Sequence, residues 1–133
     1  MGAIDLKSNI KLGVSLDRAA RTASANGTAF DVSDYNSAVF VVDSASWSDG
    51  THTFVFQESD DNSTFSAIAD ADLDGSEPVI DGAADDDQQY YVGYKGRQRY
   101  IRAVVTVTGS PSTGLDAGAY VIYGNPKNLR ANG

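Results

Sequence analysis

The chain has 133 residues, of which 41% are apolar, and it contains no cysteine. This length fits one domain with a single core, and the absence of thiols excludes disulfides and thiolate metal sites as supports of the fold. No apolar run approaches the ~20 residues of a membrane span. The N-terminus mixes acid and base without an apolar run, so we expect no membrane partner and synthesis in a cytoplasm.

The net charge of −8 is unevenly distributed. Fifteen of the eighteen Asp and Glu residues lie between Thr22 and Tyr94, and that span has no Lys or Arg. Binding to nucleic acid needs positive charge that neutralises phosphates, so we expect no nucleic-acid partner. The acidic span is interpreted as solvated loops that keep the protein soluble.

In chain order, the pattern predicts a flexible arm over residues 1–9 and a first strand over Ile10–Leu16. Residues 17–27 indicate a helical turn or a turn at Asn26-Gly27, before a strand over residues 28–32. The apolar run of residues 38–42 is typical of a strand whose two faces are both covered. The period of two in the first strand places four apolar residues on one face, namely Ile10, Leu12, Val14 and Leu16.

The middle of the chain predicts a loop over residues 44–50 that carries Trp47, and then a strand over residues 52–58. A compact turn of Asp, Asn and Ser leads into a partner strand over residues 64–68. Residues 69–87 are interpreted as a long acidic connection with one short strand at residues 78–80.

The clearest strand pattern is Arg99–Thr108, in which Ile101, Ala103, Val105 and Val107 share one face. We predict that it forms a hairpin with a strand at residues 89–94, through a tight turn at residues 95–97. A last strand over residues 119–123 precedes a tail over residues 125–133.

About eight short strands separated by Gly, Pro, Asn and Asp predict an all-β fold. We expect a single antiparallel β-sandwich over residues 10–124, with a jelly-roll-like arrangement.

Templates for catalysis fail on this sequence. It has no nucleophile elbow or phosphate-binding loop, and its one histidine, His52, lies on the apolar face of a strand. We therefore expect a protein that is not an enzyme and has no catalytic residues.

The segment Asp70–Gly75 matches the first half of a calcium loop. Pro78 interrupts the pattern and no helical pattern flanks it, so the interpretation we prefer is an acidic loop without a cofactor. The candidate calcium ligands are Asp70, Asp72, Asp74 and Asp81.

Two sets of side chains are candidates for binding a partner. Four aromatic residues are candidates for a sugar platform or a protein interface, namely Trp47, Tyr90, Tyr94 and Tyr100. The alternative is that they pack against neighbouring strands. Cations that offer a contact surface in an acidic protein are Arg18, Arg21, Lys95, Arg97 and Arg99, with Lys127 and Arg130 in the tail.

Four segments carry a family resemblance, namely residues 20–28, 41–54, 57–65 and 93–102. Their sequence resembles a family of small structural proteins of tailed bacteriophages. The resemblance implies a capsid decoration or cement protein, made in the host cytoplasm, that binds the outer surface of the phage head. The implied partner is the major capsid protein. A homo-oligomer is a separate expectation, and the sequence leaves the oligomeric state open. A tail or head–tail connector component is an alternative role.

A second likeness links residues 57–65 and 100–104 to discoidin-type carbohydrate-binding jelly rolls. Asn62 and Phe65 stand here where those proteins have Gly and Trp. This likeness supports the jelly roll and leaves a carbohydrate-binding module or adhesin as an alternative function.

Overall fold

The computed structural model describes residues 9–126, so the predicted arm before Asn9 and the tail cations Lys127 and Arg130 lie outside the described residues. In the part described, no helix has the length and hydropathy to cross a membrane. The elements are β1 (Ile10–Arg21), β2 (Ala25–Asn26), β3 (Phe30–Asp31), β4 (Tyr35–Trp47), β5 (Thr51–Ser59), β6 (Ser66–Ala67), the 3₁₀ turn η1 (Asp70–Asp72), β7 (Leu73–Asp74), β8 (Val79–Ile80), β9 (Gln89–Tyr94), β10 (Tyr100–Thr108) and β11 (Leu115–Pro126).

The strands form two antiparallel sheets. Sheet I has the order β1-β11-β4-β9-β7, and sheet II has the order β2-β10-β5-β6, with β3 also beside β10 and β8 also beside β5. The short strands β2 and β3 share one position in sheet II, and β6 and β8 share another. If each of these two pairs is counted as one strand and the edge strand β7 is left out, the chain has eight strands. Numbered along the chain, they have the order 1-8-3-6 in sheet I and 2-7-4-5 in sheet II. The predicted all-β sandwich is confirmed, and this strand order is that of a jelly roll.

The core lies between β4 of sheet I and the β5–β10 pair of sheet II. The rings of Phe40 and Phe56 stack across it with centroids 4.1 Å apart. Ile101, Ala103 and Val105 have no exposed surface, which confirms the predicted inner face of β10. This face is the interior side of sheet II.

The predicted hairpin between β9 and β10 is wrong. β9 pairs with β4 in sheet I, whereas β10 pairs with β5 in sheet II, so residues 95–99 cross from one sheet to the other. The Tyr94 side chain explains the course of the chain, because its hydroxyl accepts the Gln98 N–H at 3.0 Å. A Cβ at Gly96 would lie 2.5 Å from the Tyr94 ring, so the connection wraps closely around that ring.

The four apolar residues of β1 do not share a face. The pairing of β1 with β11 shifts between Val14 and Leu16, and again between Leu16 and Ala19. Leu16 is 4% exposed inside the sandwich, whereas Leu12 is 62% exposed and Ile10 and Val14 are also exposed. β-Bulges produce such a change of face, because one extra residue reverses the alternation that follows it.

Ser15, at the first register shift of β1, lies beside β10 at the edge of sheet II. Its hydroxyl accepts the N–H of Ala103 at 2.9 Å and donates to the carbonyl of Thr28 at 2.9 Å. Ala103 lies in the gap between the residues of β10 that pair with β2 and those that pair with β3. Ser15 therefore accepts a buried N–H at a position where neither β2 nor β3 pairs with β10.

Glu77 has the same role at the opposite edge of sheet II. On β5, β6 pairs at Gln57 and Glu58, and β8 pairs at His52 and Thr53. Between them, the Glu77 carboxylate accepts the Phe56 N–H at 2.6 Å. Burial of this carboxyl raises its pKa, whereas the hydrogen bond from Phe56 opposes that shift.

Several boundaries differ from the prediction. β4 continues through Trp47, where a loop was expected, and β1 continues to Arg21, where a helical turn was one expectation. β11 ends at Pro126, so the first two residues of the predicted tail belong to a strand. The range of β9 is confirmed, and in the predicted turn after β5 the carboxylate of Asp61 accepts the N–H groups of Ser63 and Thr64. Asn62 has φ of +60°, a conformation that asparagine tolerates better than most residues.

Because of the bulge in β1, we expect two leucines of the same strand to contribute very differently to the free energy of unfolding. Leu16→Ala should lower the free energy of unfolding by about 2–5 kcal/mol because it leaves a cavity in the core. Leu12→Ala should change it by less than about 0.5 kcal/mol because the side chain is exposed. Urea unfolding of both variants measures the difference, and equal losses would contradict the register described here.

Removal of the Ser15 hydroxyl should leave the Ala103 N–H buried without a partner. Ser15→Ala should therefore lower the free energy of unfolding by about 1–3 kcal/mol. Ser46→Ala, at an exposed position of β4, is the control and should stay within about 0.5 kcal/mol of the wild type. If both variants unfold at the same urea concentration, the Ser15 hydrogen bonds do not stabilise the fold.

Candidate partner-binding surfaces

The five predicted contact cations do not form one surface. Arg18 and Arg21 lie in the second half of β1, and Arg18 contacts Asp43, which pairs with Gln89 at the start of β9. The cations at 95–99 follow the end of β9, so about 17–20 Å of strand separates the two groups.

Two of these arginines are already paired. Arg18 contacts the carboxylate of Asp43 at 2.9 Å and that of Asp116 at 3.2 Å, and Arg99 contacts Asp31 at 2.8 Å. The hydrogen bond from Arg99 lowers the pKa of Asp31 to about 2. An acidic partner would therefore compete with intramolecular carboxylates for these two cations.

The remaining cations differ in their surroundings. Arg21 donates to the backbone carbonyls of Ala117 and Asp17. Lys95 and Arg97 have no ion pair within residues 9–126, and they line a cleft of about 460 Å³ at one end of the sandwich. The cleft also includes Asn36 and Gln98, so its wall is polar.

Three of the four predicted surface aromatics turn into the sandwich. Trp47, Tyr90 and Tyr94 are half-buried and pack against the core. The Trp47 Nε1–H donates to the carbonyl of Gly50 at 2.9 Å, and the Tyr94 hydroxyl donates to Glu58 at 2.8 Å. Burial and this hydrogen bond raise the pKa of Tyr94.

The fourth aromatic, Tyr100, lies on the outer side of sheet II. It is half-buried, and the Arg99 guanidinium lies 5.2 Å from its ring centroid. The prediction of one exposed aromatic surface is therefore wrong. Alternation along β9 directs Tyr90 and Tyr94 inward, and a register shift between Ser44 and Trp47 in the β4–β11 pairing turns the Trp47 ring inward. Among the described aromatic residues, the exposed one is Tyr91, at 66%.

The four predicted calcium ligands are not brought together. Asp70 and Asp72 lie in η1, Asp74 lies in β7 of sheet I, and Asp81 follows β8 of sheet II. Across residues 9–126 there is no group of three or more acidic or histidine side chains that could hold a metal ion. In the structure this segment connects the two sheets.

The carboxyl groups whose pKa values are shifted each form hydrogen bonds that stabilise the fold. Asp49 accepts the N–H groups of Ser112, Thr113 and Gly114, and these hydrogen bonds lower its pKa. Hydrogen bonds from the turn after β5 lower the pKa of Asp61 in the same way. These carboxylates order turns, and they do not converge on a cleft.

The single histidine is buried. His52 has no exposed surface, and its Nε2 lies 3.0 Å from the carbonyl of Asp49. Its Nδ1 has no hydrogen-bond partner in the described part of the chain. A side chain in this position cannot reach a substrate from solvent.

The outer face of sheet I carries an apolar surface that the sequence analysis did not identify. Successive strand residues point to opposite faces, and the pairing register aligns the outward ones in two rows across β1, β11, β4 and β9. We call this surface the apolar face. One row is Val14, Tyr120, Val41 and Tyr91, the other is Leu12, Ile122 and Val39, and Ile10 flanks them on β1. Val41 is only 8% exposed within its row, whereas Ile10, Leu12, Val14 and Tyr91 are exposed and the other three are half-buried.

Two signals in the sequence pointed to this surface. The run Ala38–Val42 is apolar at every position, which is typical of a strand covered on both faces. Its inner residues contact sheet II, but no described element packs over its outer residues Val39 and Val41. The alternation at Ile10, Leu12 and Val14 was the second signal, but without the bulge it could not be assigned to the outer side.

Comparison of the chain with protein-family models, with curated proteins and with solved structures gave no match.

The Arg99–Asp31 pair predicts a specific loss of stability in acid. Because the folded pKa of Asp31 is lowered to about 2, its contribution is present above about pH 4 and is lost as the pH falls towards 2. Asp31→Asn should therefore lose less stability than the wild type between pH 4 and 2. Since the two side chains are 55% and 37% exposed, solvent screening keeps the difference under about 1 kcal/mol.

Urea unfolding at pH values from 5 to 2 measures this effect. Asp34→Asn, which removes a charge from an exposed residue nearby, is the control and should follow the wild type. Parallel curves for wild type and Asp31→Asn would show that the ion pair does not contribute.

Proposed function

We propose that the chain is a non-enzymatic structural protein of a tailed-phage virion, and that it decorates the outer surface of the head by binding the major capsid protein. The observation that carries this proposal is the apolar face of sheet I. The sequence resemblance to phage structural proteins supplies the identity of the partner, and the face supplies a means of contact.

The composition of this face favours a protein partner. Antiparallel sheets that face water on one side alternate apolar residues inward with polar residues outward. Here one outward row is apolar across four strands and the other across three, and Leu12 and Tyr91 at the two sides are each more than 60% exposed. Contiguous apolar patches of this kind mark interaction sites in soluble proteins.

A polar border adjoins the apolar face at the end of β4. Asp43 accepts hydrogen bonds from Arg18 and from Gln89, and Arg18 also contacts Asp116. Interfaces commonly have this arrangement of an apolar centre and a polar rim. Arg18 offsets part of the charge of the two carboxylates, so the border carries a net charge of −1.

The size of the apolar face suits a coat made of many copies. Four strands and about five residues of each span an area of about 300 Å², whereas a standard stable interface buries about 800 Å² on each partner. One copy bound through this face alone would bind weakly. A repetitive shell offers many equivalent sites, and binding to it becomes tighter where the bound copies are linked to one another.

The ionisable groups support a role without chemistry. The one histidine is enclosed in the core, and the carboxyls with shifted pKa values order turns or pair with Arg99 or Phe56. Perturbed groups at a catalytic site would instead converge on a cleft.

The test replaces the most exposed residue of the apolar face. Tyr91→Asp introduces a charge that would be buried without a partner in the complex, so its affinity for shells assembled from the major capsid protein of the same phage should fall by about tenfold or more. Val79→Asp is the matched control, because it places the same charge at an exposed apolar residue of sheet II. Co-sedimentation of each variant with the shells measures binding.

The wild type and Val79→Asp should sediment with the shells to the same extent. Equal binding by Tyr91→Asp would remove the apolar face from the contact. Wild-type binding to a glycan panel but not to shells would favour the carbohydrate-binding alternative, and binding to tails but not heads would favour the connector alternative.

A further inference from the structure

We propose that a second copy of this chain pairs with the free edge of β1, so that two copies form one continuous sheet about a two-fold axis at Leu12. This inference concerns contacts between copies and does not rest on the proposed binding to a phage head. It follows from the edge, the register and the charges of residues 10–14.

β1 is the terminal strand of sheet I. It pairs with β11 on one side, and within residues 9–126 no strand pairs with its other side. The free edge ends at Ser15, where the carbonyl accepts the Thr28 N–H at 2.8 Å. Residues 10–14 therefore present a short, unbulged edge, and such edges are templates for pairing with another chain.

The side chains of this edge are self-complementary. In an antiparallel pair centred on Leu12, the Leu12 residues of the two copies face each other and Ile10 faces Val14 of the second copy. Directly opposed apolar residues on one face of a sheet stabilise the pairing of two strands. A two-fold axis repeats the Ile10–Val14 contact, so the interface is isologous.

Charge selects this register over its neighbours. Lys11 is the one charged residue between Ile10 and Val14, and with the axis at Leu12 it faces Gly13 of the second copy. An axis at Lys11 would place two lysines opposite each other, which is unfavourable. An axis at Gly13 would place Lys11 opposite Ser15, whose carbonyl is already bound to Thr28.

The pair is expected to be weak and to depend on salt. Five residues a side bury much less than a standard interface, so we expect a dissociation constant of roughly 10–100 μM. Each copy carries a net charge of −8, and added salt screens the repulsion between copies. The dimer should therefore tighten as the salt concentration rises.

Sedimentation equilibrium of the full chain from 5 to 500 μM tests the proposal. The wild type should shift from monomer to dimer, and Leu12→Asp should stay monomeric because two added carboxylates would face each other. Val79→Asp is the charge-matched control and should dimerise like the wild type. Tyr91→Asp lies on β9, three strands from the edge, and should also dimerise normally.

Because Tyr91→Asp is the variant that should lose binding to shells, the two proposals fail separately. Loss of shell binding with normal dimerisation leaves this inference intact. Dimerisation of the wild type without any shell binding overturns the proposed function alone.

A cross-link identifies the register directly. The chain has no cysteine, so a Leu12→Cys variant carries one thiol. Opposed residues of an antiparallel pair have Cα atoms about 4.5–5.5 Å apart, within the range of a disulfide. Mild oxidation at 100 μM should link most of the Leu12→Cys variant, whereas Val79→Cys and Tyr91→Cys should remain largely unlinked.

Three results would overturn the inference. A wild type that stays monomeric at every concentration and salt would show that the edge is not used, or that another part of the same chain occupies it. Equal weakening by Leu12→Asp and Val79→Asp would indicate a general charge effect. Equal linking of the three cysteine variants would indicate random collisions.

Discussion

The interrupted strands at the two edges of sheet II constrain the rest of the structure. The strands beside β10 and β5 are interrupted, and at each gap a buried N–H must find an acceptor from outside the ladder. Ser15 supplies one acceptor and Glu77 the other. To reach Ala103, the Ser15 hydroxyl has to point into the sandwich, and the pairing of β1 shifts at this residue. The same shift turns Leu16 inward and leaves Ile10, Leu12 and Val14 on the outer side of sheet I. The residue that satisfies the buried Ala103 N–H in sheet II therefore lies at the point where β1 leaves the apolar face.

The sequence predicted what depends on alternation within a strand and missed what depends on contacts between distant strands. The inner face of β10 follows from its own side chains, as does the jelly-roll class from the number and spacing of strands. The crossing after β9 could not be predicted, because a glycine between two strand patterns also fits a tight turn. What decides between them is the half-buried Tyr94 ring, whose position depends on Phe40 of β4 and Glu58 of β5.

The same limit applies to the binding surface. Positive residues stand out in an acidic sequence, but the carboxylates that pair with Arg18 and Arg99 lie 25 to 98 positions away, and only the fold brings them together. For the apolar face the reverse holds. All four strands that contribute to it were predicted as strands, and those at residues 10–16 and 38–42 were predicted from apolar patterns. The surface emerges only when the pairing register aligns their outward residues.

A dimer at β1 would change what the apolar face can do. With the axis at Leu12, the row formed by Leu12, Ile122 and Val39 continues without interruption into the same row of the second copy. The combined face would cover about 600 Å², closer to the area that one partner contributes to a standard interface. Two linked contacts on a repetitive surface also bind more tightly than either alone, because the second contact forms at high effective concentration. An acidic protein that is monomeric when dilute would then bind firmly where the shell holds copies together, and the weakness of each separate contact would keep it soluble elsewhere.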